Sequence, residues 1–356
     1  MNPIIAAMVS VSGLGLTDTE KYLLSTYQPM GVTLFKRNID TSEQVQTLIK
    51  DIRETIGRED VLIAVDQEGG RVCRFEPPYF GSYISQYGIG SLPEKERLRL
   101  TVLQGQLIAR ELKIIGINLN YAPCLDVRHL ETAPVLASRC FSNKPQIVAE
   151  CGHTLIQTYL ENGIIPCMKH LPGHGYAIVD PHLQLPCLTQ TIDELVSDFL
   201  PFQMNAAICP MGMTAHIMIP EIDSENPITQ SKKGIKTCIR EMIGFNGFLI
   251  SDAIDMRALK GTLSEKVNTS LSAGCDGVCY CRGDENELIQ VLKATPPLTD
   301  NALRRFADCF NSVDSSLTPL IDESLLQIEY RYLAEKAVIP KDDYDAVEVL
   351  NQMSKK

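Results

Sequence analysis

The chain has 356 residues, with 33 lysines and arginines against 44 aspartates and glutamates, a formal net charge of −11. That balance argues against nucleic-acid and anionic-membrane partners, because both need a basic face to displace counterions. Hydrophobic residues at 44% and charged residues at 22% describe a chain able to bury a sizeable core, which excludes disorder and collagen-like repeats.

The opening MNPIIAAMVSVSGLGL lacks the basic region of a secretory signal and is too short and glycine-broken to cross a bilayer, so Ile4 to Val11 reads as a buried strand. Thr17 and Glu20 then form a capping box that starts a helix. A second apolar run, Val32 to Phe35, is followed by Thr41 opening SEQVQTLIKDIRETI, and a third, Val61 to Val65, precedes a long helix opened by Pro93. Asn118 to Ala122 leads to a helix announced by Ser142 to Pro145. Pro166 to Lys169 is followed, after a long loop, by Thr191 before IDELVSDFLPFQM. Met211 to Ala215 precedes Ser231 and KKGIKTCIREMI, Phe248 to Ser251 precedes a shorter helix from Leu263 to Ser272, and Gly277 to Tyr280 precedes Glu285 to Lys293.

Eight alternations of apolar run and helix are the number that closes a parallel barrel, so the expected fold is α/β, a single (β/α)8 TIM-type barrel, with an open doubly wound sheet as the alternative. Two further helical stretches, near Asn301 to Val313 and Glu323 to Ala337, are expected on its outside. The catalytic unit is therefore drawn over 1–340 with a C-terminal helical extension, and 341–356 as a charged tail. No GxGxxG or GxxxxGK[ST] opens any helix, so a nucleotide cofactor has no support.

Twelve cysteines without a signal peptide or a CxxC pair read as reduced core thiols of a cytoplasmic protein. Cys275, Cys279 and Cys281 are the nearest to a partial metal site, although GVCYC also fits a buried strand.

In such a barrel the reactive groups project from the carboxyl ends of the strands. Asp66, Asp126, Lys169 with His170, His216 and Asp252 all stand there. The densest stretch, MKHLPGHGYAIVDPHLQLP, carries Lys169, His170, His174, Asp180 and His182. Pro172, Gly173 and Gly175 make it a loop, which destroys the helical register that a zinc motif of the HExxH type requires. Asp180 and His182 can meet across a tight turn, where the carboxylate orients the ring and favours its protonated form. Asp252 needs a polar pocket, with Lys169, Arg74 or Arg139 as candidate donors, because an ionised carboxylate at the end of a buried strand is otherwise costly. Asp255 is the competing carboxylate, read as a helix-start residue on the next turn. Arg74 has a second reading, a surface ion pair with Glu68 or Glu76. His129 and His153 read as structural. A carboxylate nucleophile with a separate proton donor is the arrangement of retaining glycoside hydrolysis, here with a histidine as donor.

AVDQEGGRVCRF, NLNYAPCLDV, KHLPGHG with a following Asp-x-His, and LISDAIDM resemble, in order and spacing, the family 3 glycoside hydrolases, specifically their bacterial β-N-acetylhexosaminidases. The resemblance runs from the first strand to about residue 285. It implies a (β/α)8 enzyme that removes terminal β-linked N-acetylglucosamine from cytoplasmic muropeptides carrying an anhydro-muramic acid, during peptidoglycan recycling in the cell wall. By motif, Asp252 looks like the nucleophile and His182, backed by Asp180, like the general acid/base, while Asp66, Arg74, Arg139, Lys169 and His170 occupy the positions that hold the sugar. Two positions depart from the family pattern: Pro181 stands where Ser is usual between the Asp and His, and Ala253 where a second Asp is usual.

No metal and no organic cofactor is expected, and the partner is a small-molecule substrate acted on by a monomer. The lack of Trp fits a small pocket better than a long polysaccharide cleft. Phosphorolysis by the same residues is the nearest alternative, since a histidine does not repel phosphate as a second carboxylate would. A metal-dependent amidohydrolase and a non-catalytic sugar-binding barrel are the remaining ones. Mobility of the loop carrying His182 is expected to take part in the reaction.

Overall fold

The computed structural model describes residues 3–313 and 323–338. Eight parallel strands close a barrel in sequence order: β1 (Ile5–Val9), β2 (Pro29–Leu34), β3 (Leu62–Val65), β4 (Leu119–Asn120), β5 (Ile165–Leu171), β6 (Met211–Thr214), β7 (Phe248–Ala253) and β8 (Gly277–Cys279). The open doubly wound sheet is thereby excluded. Helices begin where the caps require: Thr17, Thr41 and Thr191 each accept an amide of the first turn, ahead of Asp18–Tyr27, Ser42–Ile56 and Ile192–Asn205. The segment after Ser231 is helical as expected, but Ile235–Met242 is wound as a π-helix.

Alternation along the strands decides what faces the axis. Leu62 and Ala64, Ile165 and Cys167, Phe248 and Ile250, and Cys279 belong to one apolar cluster, while Ile63, Val65, Met168, Leu249 and Val278 belong to another, packed with the helices. The first group fills the interior. Two residues further along the same face come Asp66, Lys169, Asp252 and Cys281, so the strand period itself delivers these side chains to the mouth of the barrel.

One expectation needs correcting. The helix Asp300–Asn311 does not lie on the outer wall: Ala302, Phe306 and Cys309 join the interior cluster, with the Phe306 ring edge-on to Phe248 at 6.1 Å. It covers the amino-terminal end of the barrel, where Phe248 begins β7. The helix Glu323–Ala334 does pack outside, against Glu94–Ile115, and its Tyr330 hydroxyl accepts the Ile84 amide at 2.9 Å. The charged tail expected from Lys341 lies outside the described residues. Among the described residues, no helix is long and apolar enough to cross a membrane.

Candidate active site

At the carboxyl end of β3 the chain turns sharply through Gly69 and Gly70, both at positive φ, where a side chain would be strained. The turn leaves Asp66 and Glu68 facing inward together. Lys169, from β5, reaches both, with Nζ 2.8 Å from Asp66 Oδ1 and 2.6 Å from Glu68 Oε1. Arg74 donates to Asp66 Oδ2 at 3.2 Å, and Arg139 grips Glu68 through Nε at 3.0 Å and Nη2 at 2.9 Å. Two carboxylates and three cations thus form one network. Burial alone would raise the Asp66 pKa, but Lys169 and Arg74 hold it well below the usual carboxylate range. Glu68 is likewise lowered, to about 2, with burial opposed by Arg139 and Lys169. The same carboxylates push Lys169 up despite its burial, so the cluster stays ionised at neutral pH.

This arrangement corrects the surface-pair reading of Arg74. Its partner is Asp66; Glu68 is only 2% exposed and belongs to Lys169 and Arg139, while Glu76 pairs with Lys36 at the surface. Glu68 is the site residue that sequence reasoning missed. Its placement next to two glycines was the available signal.

His170 is held from both sides. Arg139 has no acceptor, so its Nη2 donates to His170 Nε2 at 3.2 Å, and His170 Nδ1 donates to Asp126 Oδ2 at 2.6 Å. Asp126, on the loop six residues past the end of β4 and fully buried, also accepts the amides of His170 and His174 at 3.3 and 2.7 Å. Burial would raise its pKa, yet His170 and His174 hold it well below the usual range. Cys124 Sγ donates to the same carboxylate at 3.2 Å. Cys124, Asp126 and His170 place a thiol, a carboxylate and an imidazole within 4.8 Å of one another, a set of atoms with the chemistry of metal ligands, but they already satisfy each other.

The loop after β5 is stitched down along its first half. A Cβ on Gly175 would collide with the Val127 carbonyl oxygen, Tyr176 stacks on His129 at 3.6 Å, and Ala133 donates its amide to Ala177 at 2.8 Å. His129 Nε2 in turn lies 2.9 Å from Asp198 on the helix Ile192–Asn205, which gives it the structural role expected. His174 is buried with neither ring nitrogen hydrogen-bonded, and burial pushes its pKa down to about 4. Further on, His182 donates from Nδ1 to Asp180 Oδ1 at 2.7 Å, and its amide binds the same oxygen at 2.9 Å. The expected Asp–His contact is present, and it leaves His182 Nε2 for proton exchange. The Pro181 carbonyl accepts the Ala258 amide at 3.1 Å, fastening the dyad to the chain that follows β7.

Asp252 ends the inward row of β7 and accepts the Ala253 amide at 2.7 Å. Burial opposes its charge, but His216, His170, the Ala253 amide and His182 together hold its pKa below the ordinary carboxylate value. Of the expected donors, Lys169, Arg74 and Arg139 are occupied by Asp66 and Glu68; imidazoles and a main-chain amide support Asp252 instead. Asp255 does not start a helix: it sits on the turn after β7 and accepts the Cys281 amide at 2.9 Å, while the next helix is capped by Thr262.

An ionised carboxylate and an Asp-oriented imidazole share the mouth of this barrel with a charged cluster suited to grip a neutral, polar ligand. Residues 5–307 match the N-terminal domain of glycosyl hydrolase family 3. A β-hexosaminidase of Bordetella avium is 34% identical over 316 residues, covering 86% of this chain and 89% of that protein, and one of Chromobacterium violaceum is 35% identical over 297 residues, 82% of each. The crystal structure of NagZ from Neisseria gonorrhoeae in complex with N-trifluoroacetyl-D-glucosamine superposes with a TM-score of 0.84 at 29% identity, covering 94% of this chain and 98% of that one. The motifs, the closed barrel and these similarities converge: the chain belongs to glycosyl hydrolase family 3 and is a glycoside hydrolase of the β-hexosaminidase kind.

Proposed function

We propose that the protein is an exo-acting, retaining β-N-acetylglucosaminidase that releases terminal N-acetylglucosamine from muropeptides in the cytoplasm during peptidoglycan recycling. Asp252 attacks the anomeric carbon as the glycosidic bond breaks, and His182 passes its Nε2 proton to the departing oxygen. Water then attacks the glycosyl–Asp252 ester, His182 takes the water's proton, and the free carboxylate returns. Asp180 keeps the imidazole oriented throughout. Asp66, Arg74, Arg139, Lys169 and His170 bind the hydroxyl and acetamido groups through charge-assisted hydrogen bonds.

The observation that carries this reading is geometric: Asp180 accepts from His182 Nδ1 at 2.7 Å and leaves Nε2 for proton transfer, while Asp252 ends the inward row of β7 with its carboxylate accepting the Ala253 amide at 2.7 Å. The test is hydrolysis of a chromogenic β-N-acetylglucosaminide by wild type, Asp252→Ala and His182→Ala. The first variant should lose turnover; the second should spare good leaving groups more than the natural linkage. Full activity of Asp252→Ala would sink the assignment.

A further inference from the structure

Cys279 ends β8 facing the barrel interior, and Cys281, two residues on, occupies the same face at the mouth. Their sulfurs are 3.4 Å apart. All twelve cysteines are unpaired, and ten of them are buried; Cys187 is exposed and Cys281 is partly exposed, so Cys281 is the member of this close thiol pair nearer to solvent. The backbone around the pair is fastened to both flanks of Asp252. Cys279 is paired in the ladder with Ala253, its amide binds Ser251 Oγ at 3.1 Å, and its carbonyl accepts the Ile254 amide at 2.9 Å. The Cys281 amide binds Asp255 at 2.9 Å, and its carbonyl accepts Arg37 Nη2 at 2.7 Å.

We propose that Cys279 and Cys281 are an oxidation site, closed to a disulfide by a peroxide, and that the closed form lowers turnover by shifting the segment that carries Asp252. The geometry permits the bond. The two sulfurs already face each other at 3.4 Å, so bond formation requires only a short further approach. The chemistry balances: the Cys281 thiolate attacks one peroxide oxygen and the O–O bond breaks, giving a sulfenic acid and, after proton uptake, water. The Cys279 thiol loses its proton and displaces the sulfenic oxygen as a second water. Two thiols lose two electrons and one hydrogen peroxide is reduced. Hydrogen bonding to Cys279, together with burial, pushes the Cys281 thiol well up, so the reaction is slow at neutral pH and quickens as pH rises.

Closing the sulfurs from 3.4 Å to about 2.05 Å draws them together by about 1.4 Å. Side-chain rotation absorbs part of this and the main chain the rest. A misplacement on the order of 1 Å at a reacting group costs up to about a hundredfold in rate, so a fall of roughly ten- to a hundredfold in kcat/KM is expected. The inference rests on the proposed role of Asp252 for its effect on turnover only.

The experiment uses the full chain in a Cys187→Ser background, which removes the exposed thiol, treated with hydrogen peroxide and then with dithiothreitol. The expected result is loss of the mass of two hydrogens, a peptide map joining Cys279 to Cys281, and a fall in kcat/KM that dithiothreitol reverses. Adding Cys281→Ser should abolish both changes. A disulfide elsewhere, inactivation with both thiols still reduced, persistence of the loss in the Cys281→Ser variant, or a disulfide with unchanged kcat/KM would each overturn the proposal. The crosslink is read by mass without any substrate, so its failure is distinguishable from failure of the proposed function.

Discussion

Glu68→Gln tests whether the charged cluster beside β3 acts as one unit. The substitution keeps shape and removes one charge, leaving Lys169 and Arg139 with Asp66 as their remaining carboxylate and turning an amide NH2 toward groups that can only donate. Two routes give its cost. Lowering the Glu68 pKa from 4.5 to about 2 on folding corresponds to about 3 kcal/mol at neutral pH. Breaking a buried ion pair from one side costs roughly 3–5 kcal/mol. With an unfolding entropy of about 2.1 cal/mol/K per residue, a chain of this length loses about 4 °C in Tm for 3 kcal/mol. The folded-state pKa is depressed, so the stabilisation is fully present above pH 4.5 and is lost as pH falls toward 2; the gap between wild type and variant must narrow over that window. Urea denaturation at pH 7 and at steps below pH 4.5 measures it. A variant within 0.5 kcal/mol of wild type at pH 7, a margin typical of neutral surface changes, or a gap that does not shrink in acid, would refute the reasoning.

Asp126→Asn, which keeps one oxygen for the His170 and His174 amides but replaces the oxygen that accepts from His170 Nδ1 with an NH2 group, should raise KM for the chromogenic substrate about tenfold or more, with kcat less affected; unchanged KM would remove Asp126 from the positioning of His170. Because the Asp252 pKa is held below its ordinary value, the acidic limb of kcat/KM should lie below the usual carboxylate range, and a limb above pH 5 would contradict the electrostatic account of that group. Product analysis with and without inorganic phosphate should give free N-acetylglucosamine in both; accumulation of the 1-phosphate would move the enzyme to phosphorolysis.

How much of this was legible in the chain depends on how local the cause was. Thr17, Thr41 and Thr191 announce their helices because a cap needs only the next three residues. Asp66, Lys169 and Asp252 could be placed because each follows an apolar run and strand alternation fixes the face it occupies. Glu68 was misread because its partners, Lys169 and Arg139, are remote in sequence, and proximity in the chain suggested Arg74 instead. The same holds for Asp126 with His170. The position of the helix Asp300–Asn311 depended on what the barrel's lower end left uncovered, a property of the closed sheet and of no single segment.

Pro181 tests how the dyad is kept in place. The loop is pinned before it, by Tyr176 on His129 and the Ala133 to Ala177 bond, and at Pro181 itself by the Ala258 amide. Between these contacts lie only a few residues, among which Ile178 projects into solvent. A proline restricts Asp180 to extended geometry as well as fixing its own φ. Pro181→Ser keeps the carbonyl that binds Ala258, so activity should stay within about threefold of wild type. Pro181→Gly keeps it too but frees the backbone, which costs about 1 kcal/mol of ordering and hence roughly fivefold in kcat if the dyad must be set before reaction. Should the glycine variant turn over faster, rigidity at this position limits the enzyme, and the loop's motion, not its pre-setting, governs the proton transfer.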